Sequence, residues 1–275
     1  FALVARAPNV ERLVDAFVAA RLCEAEKKDR LYLDSCYPGL TLPPDCVVLV
    51  SADARYFTPQ ALTTAFLRRA CATKMAQCLQ GTEISDVRQH DRELVLMASD
   101  GREIYAQHAV LATGPWITGG PAGSFCRDEG VKLKKVVAMH VECPPKENAP
   151  VIYLAEEDAF LFPHREQNRF LLSIASAEWD CLPEISQLRI TPSDRILATS
   201  ILERYCPSFV RHCTGGRVFC DAYSKDCAPL ISHAPGLDRL VVAGACSGSG
   251  MRLAPAVAME ALQLSGVCTR EVIHS

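Results

Sequence analysis

Gly244, Gly248 and Gly250 stand among small residues, Ala245, Cys246, Ser247 and Ser249, at the end of an apolar, β-branched run from Leu240. Glycine permits positive φ and close backbone approach, and N–H groups left free at a helix start attract anions or ring carbonyls. Beyond Pro255 a run without glycine or proline reaches Ser265, so the order is strand, glycine-rich turn, helix. The spacing is not G-x-G-x-x-G, and an ordinary strand–helix connection that needs glycine for its turn accounts for it equally well. Thiols form the second pattern, since Cys206, Cys213, Cys220 and Cys227 recur every seven residues. Zinc ligands usually include pairs about two to four residues apart. None of these cysteines is so paired, and Pro207, Gly215 and Gly216 interrupt any single helix that would align them. No metal site is expected. Buried reduced thiols, and with them a reducing, cytoplasmic compartment, are the expectation.

The chain that must position these residues has 275 amino acids, enough for one large domain or two ordinary ones. Apolar residues make up 49% and charged residues 22%, the balance of a globular protein rather than a disordered one. A net charge of −3 without a basic block gives no nucleic-acid footprint. No run reaches the roughly 20 apolar residues of a membrane-spanning helix, and no signal peptide opens the chain. Phe1 is its first residue, so the natural start is expected to lie upstream.

Asn9 to Leu22 carries an apolar helical face with Asn9 as its cap. A lysine- and glutamate-rich connection, Glu24 to Arg30, precedes an irregular proline-rich loop and a strand from Cys46 to Ser51. Thr58-Pro59 opens a helix, hydroxyl at the cap and proline at the first turn, which should run to about Cys78 with two faces. Three short strands follow, Glu83 to Gln89, Glu93 to Ser99 and Glu103 to Ala106, with Asp100-Gly101 as a hairpin turn. His108 to Ala112 is another strand. Val131 to Cys143, Val151 to Leu154, Ala159 to Pro163 and Arg169 to Ala175 are strands, the last three an antiparallel meander. A helix from Ser193 to Tyr205 and a strand from Arg217 to Tyr223 lead back to the glycine-rich turn.

With these elements in order, the chain resembles the flavoprotein family of D-amino-acid oxidase, glycine oxidase and sarcosine oxidase. Four stretches carry the likeness: Phe57-Thr-Pro-Gln-Ala-Leu62; Ala109-Val-Leu-Ala-Thr-Gly-Pro-Trp116; the meander through Phe160-Leu-Phe-Pro163 and Phe170 to Ser176; and the turn, similar to the family's G-x-S-G-x-G-x-x-x-A-P. The family opens with a strand–G-x-G-x-x-G–helix unit that holds the FAD pyrophosphate, and this sequence contains no such unit. The expectation is a truncated start or a second chain that completes the FAD site.

The resemblance implies a mixed α/β fold. Residues 54–119 and 221–275 would form an FAD-binding domain of discontinuous segments, and 1–53 and 120–220 an antiparallel-sheet substrate domain. Ala112, Thr113, Gly114 and Trp116 would lie along the flavin, and Gly248, Ser249, Gly250 and Met251 would offer N–H groups to its carbonyl edge. Val87 would pass near the adenine. Arg252 would grip a substrate carboxylate with its fork, and Tyr223 would hydrogen-bond or wall the substrate. Bland alternatives stand beside these: Trp116 as packing, Arg252 as a surface arginine. Covalent flavin through Cys220 is not expected, because the cysteine is offset by one residue from the family's linking position. The activity implied is FAD-dependent oxidation of an amino acid or small amine by hydride transfer to flavin N5. The alternative is a partner-dependent or non-catalytic subunit whose flavin half is supplied elsewhere.

Overall fold

The computed structural model describes residues 1–10, 26–37, 39–51, 58–184 and 186–267. The chain is a mixed α/β protein that divides into two compact units. The first comprises Phe1–Tyr56, Lys135–Ala177 and Glu184–Phe219; the second comprises Phe57–Lys134, Glu178–Pro183 and Cys220–Ser275. Among the described residues no helix is long and apolar enough to cross a membrane.

An eight-stranded sheet runs in the order β12-β8-β11-β10-β9-β1-β3-β2. Its strands are β1 (Ala2–Arg6), β2 (Glu26–Lys28), β3 (Cys46–Val50), β8 (Lys132–Val141), β9 (Ile152–Leu154), β10 (Ala159–His164), β11 (Arg169–Trp179) and β12 (Cys213–Tyr223). The meander β9-β10-β11 is antiparallel as expected, with a turn at Asn168 in the left-handed region. β1 was not foreseen. It pairs antiparallel with β3 and parallel with β9, joining segments about 150 residues apart in the chain that no turn signal connects. The charged stretch expected as a connection includes β2, whose three residues pair with β3 at the sheet's edge. Lysine and glutamate suit that place, because charge discourages further strand pairing.

Asn9 does not cap a helix. It sits within helical backbone at residues 7–10 and donates from its amide to Glu156 Oε1 at 2.9 Å. The rest of that expected helix, to Leu22, lies outside the described residues.

The first unit's core gathers Val4, Tyr37, Val48, Met139, Ile152, Leu172 and Ile174 with Ile201, Leu202 and Phe209. Within it lies a buried ion pair: Lys135 Nζ is 2.9 Å from Asp194 Oδ2, with side chains 1% and 3% exposed. Asp194 is the third residue of the helix Pro192–Tyr205, and with Thr191 it forms a capping box. Its carboxylate also accepts from Ser176 Oγ at 2.9 Å and from Thr191 N and Oγ1 at 2.8 Å each. Burial pushes this carboxyl up, but the Thr191 backbone N–H, Lys135 and the two hydroxyls outweigh it and hold it below its ordinary range.

In the second unit, β4 (Ile84–His90), β5 (Glu93–Ala98) and β6 (Glu103–Ala106) form an antiparallel sheet, close to the expected spans. β7 (Ala109–Leu111), β13 (Leu230–Ala234) and β14 (Leu237–Gly244) form another in the order β13-β14-β7, with β14 and β7 parallel. The helix α1 (Pro59–Ala72) stops six residues short of the expected end, where Thr73 Oγ1 donates back to Ala70 O and Lys74 turns to φ +60°. Thr58 is its N-cap residue, but its hydroxyl makes no capping bond. α1 has no buried residue, and Phe66 and Leu67 remain exposed. Two further helices are α2 (Gly123–Asp128) and α3, the capping-box helix Pro192–Tyr205.

Candidate active site

The glycine-rich turn follows β14 and leads into α4 (Gly250–Leu264). α4 packs through Val257 and Ala261 on Val241 and Ala243 of β14 and Ile231 of β13, which fixes where its first turn points. It begins six residues earlier than expected, with Pro255 inside it. The N–H groups of Gly250, Met251 and Arg252 therefore start the helix and have no intrahelical acceptor. Pro255 cannot donate to the Met251 carbonyl, so this first turn is held less tightly than an ordinary one.

Between strand and helix the backbone doubles back: Ala245, Ser247 and Gly248 have φ of +50°, +51° and +78°. Left-handed conformations at Ala245 and Ser247 are strained for residues with a Cβ. Anchors hold them. Ser247 N donates to Ala222 O at 3.1 Å, Ser224 N donates to Ser247 Oγ at 3.2 Å, and Tyr223 pairs with Cys246 as an isolated bridge. The end of β12 is thus the template for the turn. A Cβ on Gly248 would lie 3.2 Å from the Tyr223 hydroxyl, so side chain and turn are in close approach.

The other small-residue motif is brought beside this one. β7 pairs in parallel with β14, Leu240 opposite Ala109 and Val242 opposite Leu111. Past β7 the chain enters a 3-10 helix, Gly114–Thr118, whose Ile117 is buried against Gly244. A Cβ on Gly244 would meet Ile117 Cδ1 at 2.8 Å, so glycine there permits the two motifs to touch. Ala112, Thr113, Gly114 and Trp116 remain exposed, Trp116 at 57%. The expected flavin-facing residues 112–116 and 248–251 therefore leave two paired strands at the same end, with Gly250 and Met251 N–H groups lacking intrahelical acceptors; Ser249 is not such a donor, because its N–H is spent on Cys246 O at 2.8 Å.

Arg252 is exposed and donates from Nη2 to Ser249 Oγ at 2.7 Å. Its fork thus stands over the helix cap, where a cation gains nothing from the helix dipole. Tyr223 packs edge-on to Trp179 with ring centroids 5.4 Å apart, and Lys134 Nζ lies 5.5 Å from the Tyr223 ring and 5.0 Å from that of Trp179. Val87 is elsewhere: its side chain is buried in the second unit's core with Leu94, Leu111 and Leu240. Only its backbone could serve a ligand. Cys220 is also buried, and burial first, then the neighbouring Cys181, pushes its thiol up to about 12. Among the described residues, no group of three or more His, Cys, Asp or Glu side chains is gathered as a metal would need.

One residue of this region was not singled out from the sequence. Cys220 and Ala222 are buried, while the alternate residues Asp221 and Tyr223 are half-buried on the opposite face of β12. The period-two burial puts Asp221 on the tyrosine's side. That alternation is visible in the sequence as Cys-Asp-Ala-Tyr.

The arrangement suits a flat, anionic-edged ring system: small exposed residues along one side and a helix start at the other. A family model described as "FAD dependent oxidoreductase" matches residues 3–264. A search of curated proteins returned no match. Among solved structures, a mutant Amadoriase I from Aspergillus fumigatus superposes with a TM-score of 0.75 at 18% identity, covering 99% of this chain and 67% of that one. Glycine oxidase from Geobacillus kaustophilus gives 0.71 at 16% identity, with 98% and 71% covered. Iminodiacetate oxidase from Chelativorans gives 0.71 at 14% identity, with 96% and 71% covered. The likenesses to these solved structures are likenesses of fold, and the family match spans nearly the whole sequence: the chain belongs to the FAD dependent oxidoreductases.

Proposed function

We propose that this oxidoreductase acts on the carbon–nitrogen bond of a small amine or amino acid. The observation that carries the reading is the exposed turn Gly248–Met251 at the start of α4, beside the Tyr223 hydroxyl and the 112–116 segment. The names of three structural neighbours, an amadoriase, a glycine oxidase and an iminodiacetate oxidase, point to amine substrates. Bound FAD supplies the hydride acceptor, at N5, and the oxidised product is an imine that water hydrolyses.

The chain's own residues bind and orient. N–H groups of Gly248, Gly250 and Met251 would stabilise negative charge at the ring's carbonyl edge, while the Ser249 N–H is held by Cys246 O. Ala112, Thr113 and Gly114 would let the ring system pass close to the backbone, with Trp116 beside it and the Val87 backbone on the adenine side. Arg252, with one N–H on Ser249, keeps the remainder of its fork for a substrate carboxylate. Tyr223 walls the substrate side. No side-chain base is required, since orientation of the neutral amine is the main task.

The test is spectroscopic. Purified protein loaded with FAD should absorb near about 370 and 450 nm, and anaerobic addition of a panel of glycine, sarcosine, D-amino acids and fructosyl amines should bleach the longer band. A flavin-loaded protein that no amine bleaches would sink the amine reading. A protein that takes up no flavin would favour the partner-dependent alternative.

A further inference from the structure

We propose that Asp221 is a substrate-binding carboxylate, which recognises a second, cationic nitrogen on the substrate, apart from the neutral nitrogen whose C–N bond is oxidised, and so selects amines that carry that extra positive charge. The inference rests on the amine-oxidising reading above and names its substrate class more closely.

Three observations place the residue. Asp221 precedes Tyr223 by two positions on β12 and shares its face, with Cys220 and Ala222 turned into the core. Tyr223 in turn pairs with Cys246 of the turn and brings its hydroxyl against Gly248. Asp221 is also near enough to Cys246 for its charge, after burial, to raise that thiol. Asp221 therefore belongs to the wall that Tyr223 begins.

Among the described residues no hydrogen bond or ion pair reaches the Asp221 carboxylate, whereas that of Asp194, the buried acid of the first unit, accepts three hydrogen bonds and pairs with a lysine. Burial alone pushes the Asp221 carboxyl above its ordinary range, with no cation offsetting it. A half-buried carboxylate with no partner is a cost to the folded state, and a site is where such a cost is retained. The groups around it are thiols, Cys220 and Cys246, and the tyrosine. Lys134 makes no ion pair with Asp221 and lies against the rings of Tyr223 and Trp179.

The experiment compares wild type with Asp221→Asn in the flavin-loaded protein, and both with the unloaded protein. The carboxylate's ordinary value is exceeded in the folded state, so its ionisation removes stability as pH rises through the raised value. Asp221→Asn should therefore melt at an equal or higher temperature at pH 7, a readout that needs neither flavin nor substrate. With putrescine and sarcosine as probes, the variant should lose only the second cation's advantage: KM for sarcosine should stay as in wild type, whereas KM should rise on the order of tenfold to a hundredfold, with kcat little changed, for putrescine. The wild-type KM for that substrate should also rise as pH falls through the Asp221 value, and the variant should lack this limb. A variant that melts several degrees lower would mean that Asp221 supports the fold, and overturns the proposal. So would an unchanged putrescine KM and pH profile while amines still bleach the flavin. Failure of every amine to bleach wild type would instead sink the underlying reading, leaving the melting result as the separate test of the carboxylate's isolation.

Discussion

Gly248 shows how much can depend on one missing side chain. Its φ of +78° is uncomfortable for any residue with a Cβ, and the Tyr223 hydroxyl stands 3.2 Å from where that Cβ would be. Gly248→Ala should cost about 1–2 kcal/mol in folding stability, measured by urea unfolding, and should loosen flavin further. Wild-type stability in that variant would remove the close approach from the site. Arg252→Ala should weaken carboxylate-bearing substrates by about 2 kcal/mol, seen as an increase of order thirtyfold in KM, and leave amines without a carboxylate unaffected. Equal effects on both classes would mean that the guanidinium serves only Ser249. Both residues were legible in the sequence because glycine spacing and a lone arginine after it are local signals. Asp221 was not, since its importance comes from what fails to surround it, and isolation has no local pattern.

Elements were readable where their cause is local and misread where it is not. β4 to β6 lie nearly as expected because Asp100-Gly101 ends one strand and begins the next, with Asp100 Oδ1 accepting from Arg102 N. β1 escaped notice because its partners, β3 and β9, are distant in sequence. The start of α4 escaped because Pro255 resembles a first-turn proline, although the helix runs through it. The largest omission is the bond between β8 and the start of α3. Lys135 looks like one more charge in a lysine-rich strand, yet it is 1% exposed and paired with Asp194. Removing one partner leaves an uncompensated buried charge, so Lys135→Met should destabilise the protein by about 3–5 kcal/mol in urea. Asp194 has a depressed value in the folded state, so its contribution is present above the unfolded carboxylate value and is lost as pH falls through the folded one. The acid limb of a melting-temperature profile should therefore flatten in Asp194→Asn. An unchanged acid limb would show that another carboxylate governs it.

The composition of the whole chain bears on how its flavin is held. Fourteen cysteines in 275 residues offer many thiols, and attachment to a flavin ring requires one of them as thiolate. The fold works against that. Cys206 and Cys220 are pushed up to about 12 and Cys126 to about 11, with burial as the leading cause in each. Cys246, in the turn itself, is raised by burial and by Asp221. Cys78 and Cys227 are exposed, but neither belongs to the turn or to the 112–116 segment. The thiols beside the candidate site, Cys220 and Cys246, are thus both raised and poorly suited to act as nucleophiles at neutral pH, and FAD should be held by hydrogen bonds and packing alone. Acid precipitation of the flavin-loaded protein should accordingly send all absorbance near about 450 nm into the supernatant and leave a colourless pellet. A yellow pellet would contradict this, and Cys220→Ser and Cys246→Ser would then decide which thiol carries the bond. Either substitution that whitened the pellet would show that flavin binding itself depresses a thiol that the fold alone keeps protonated.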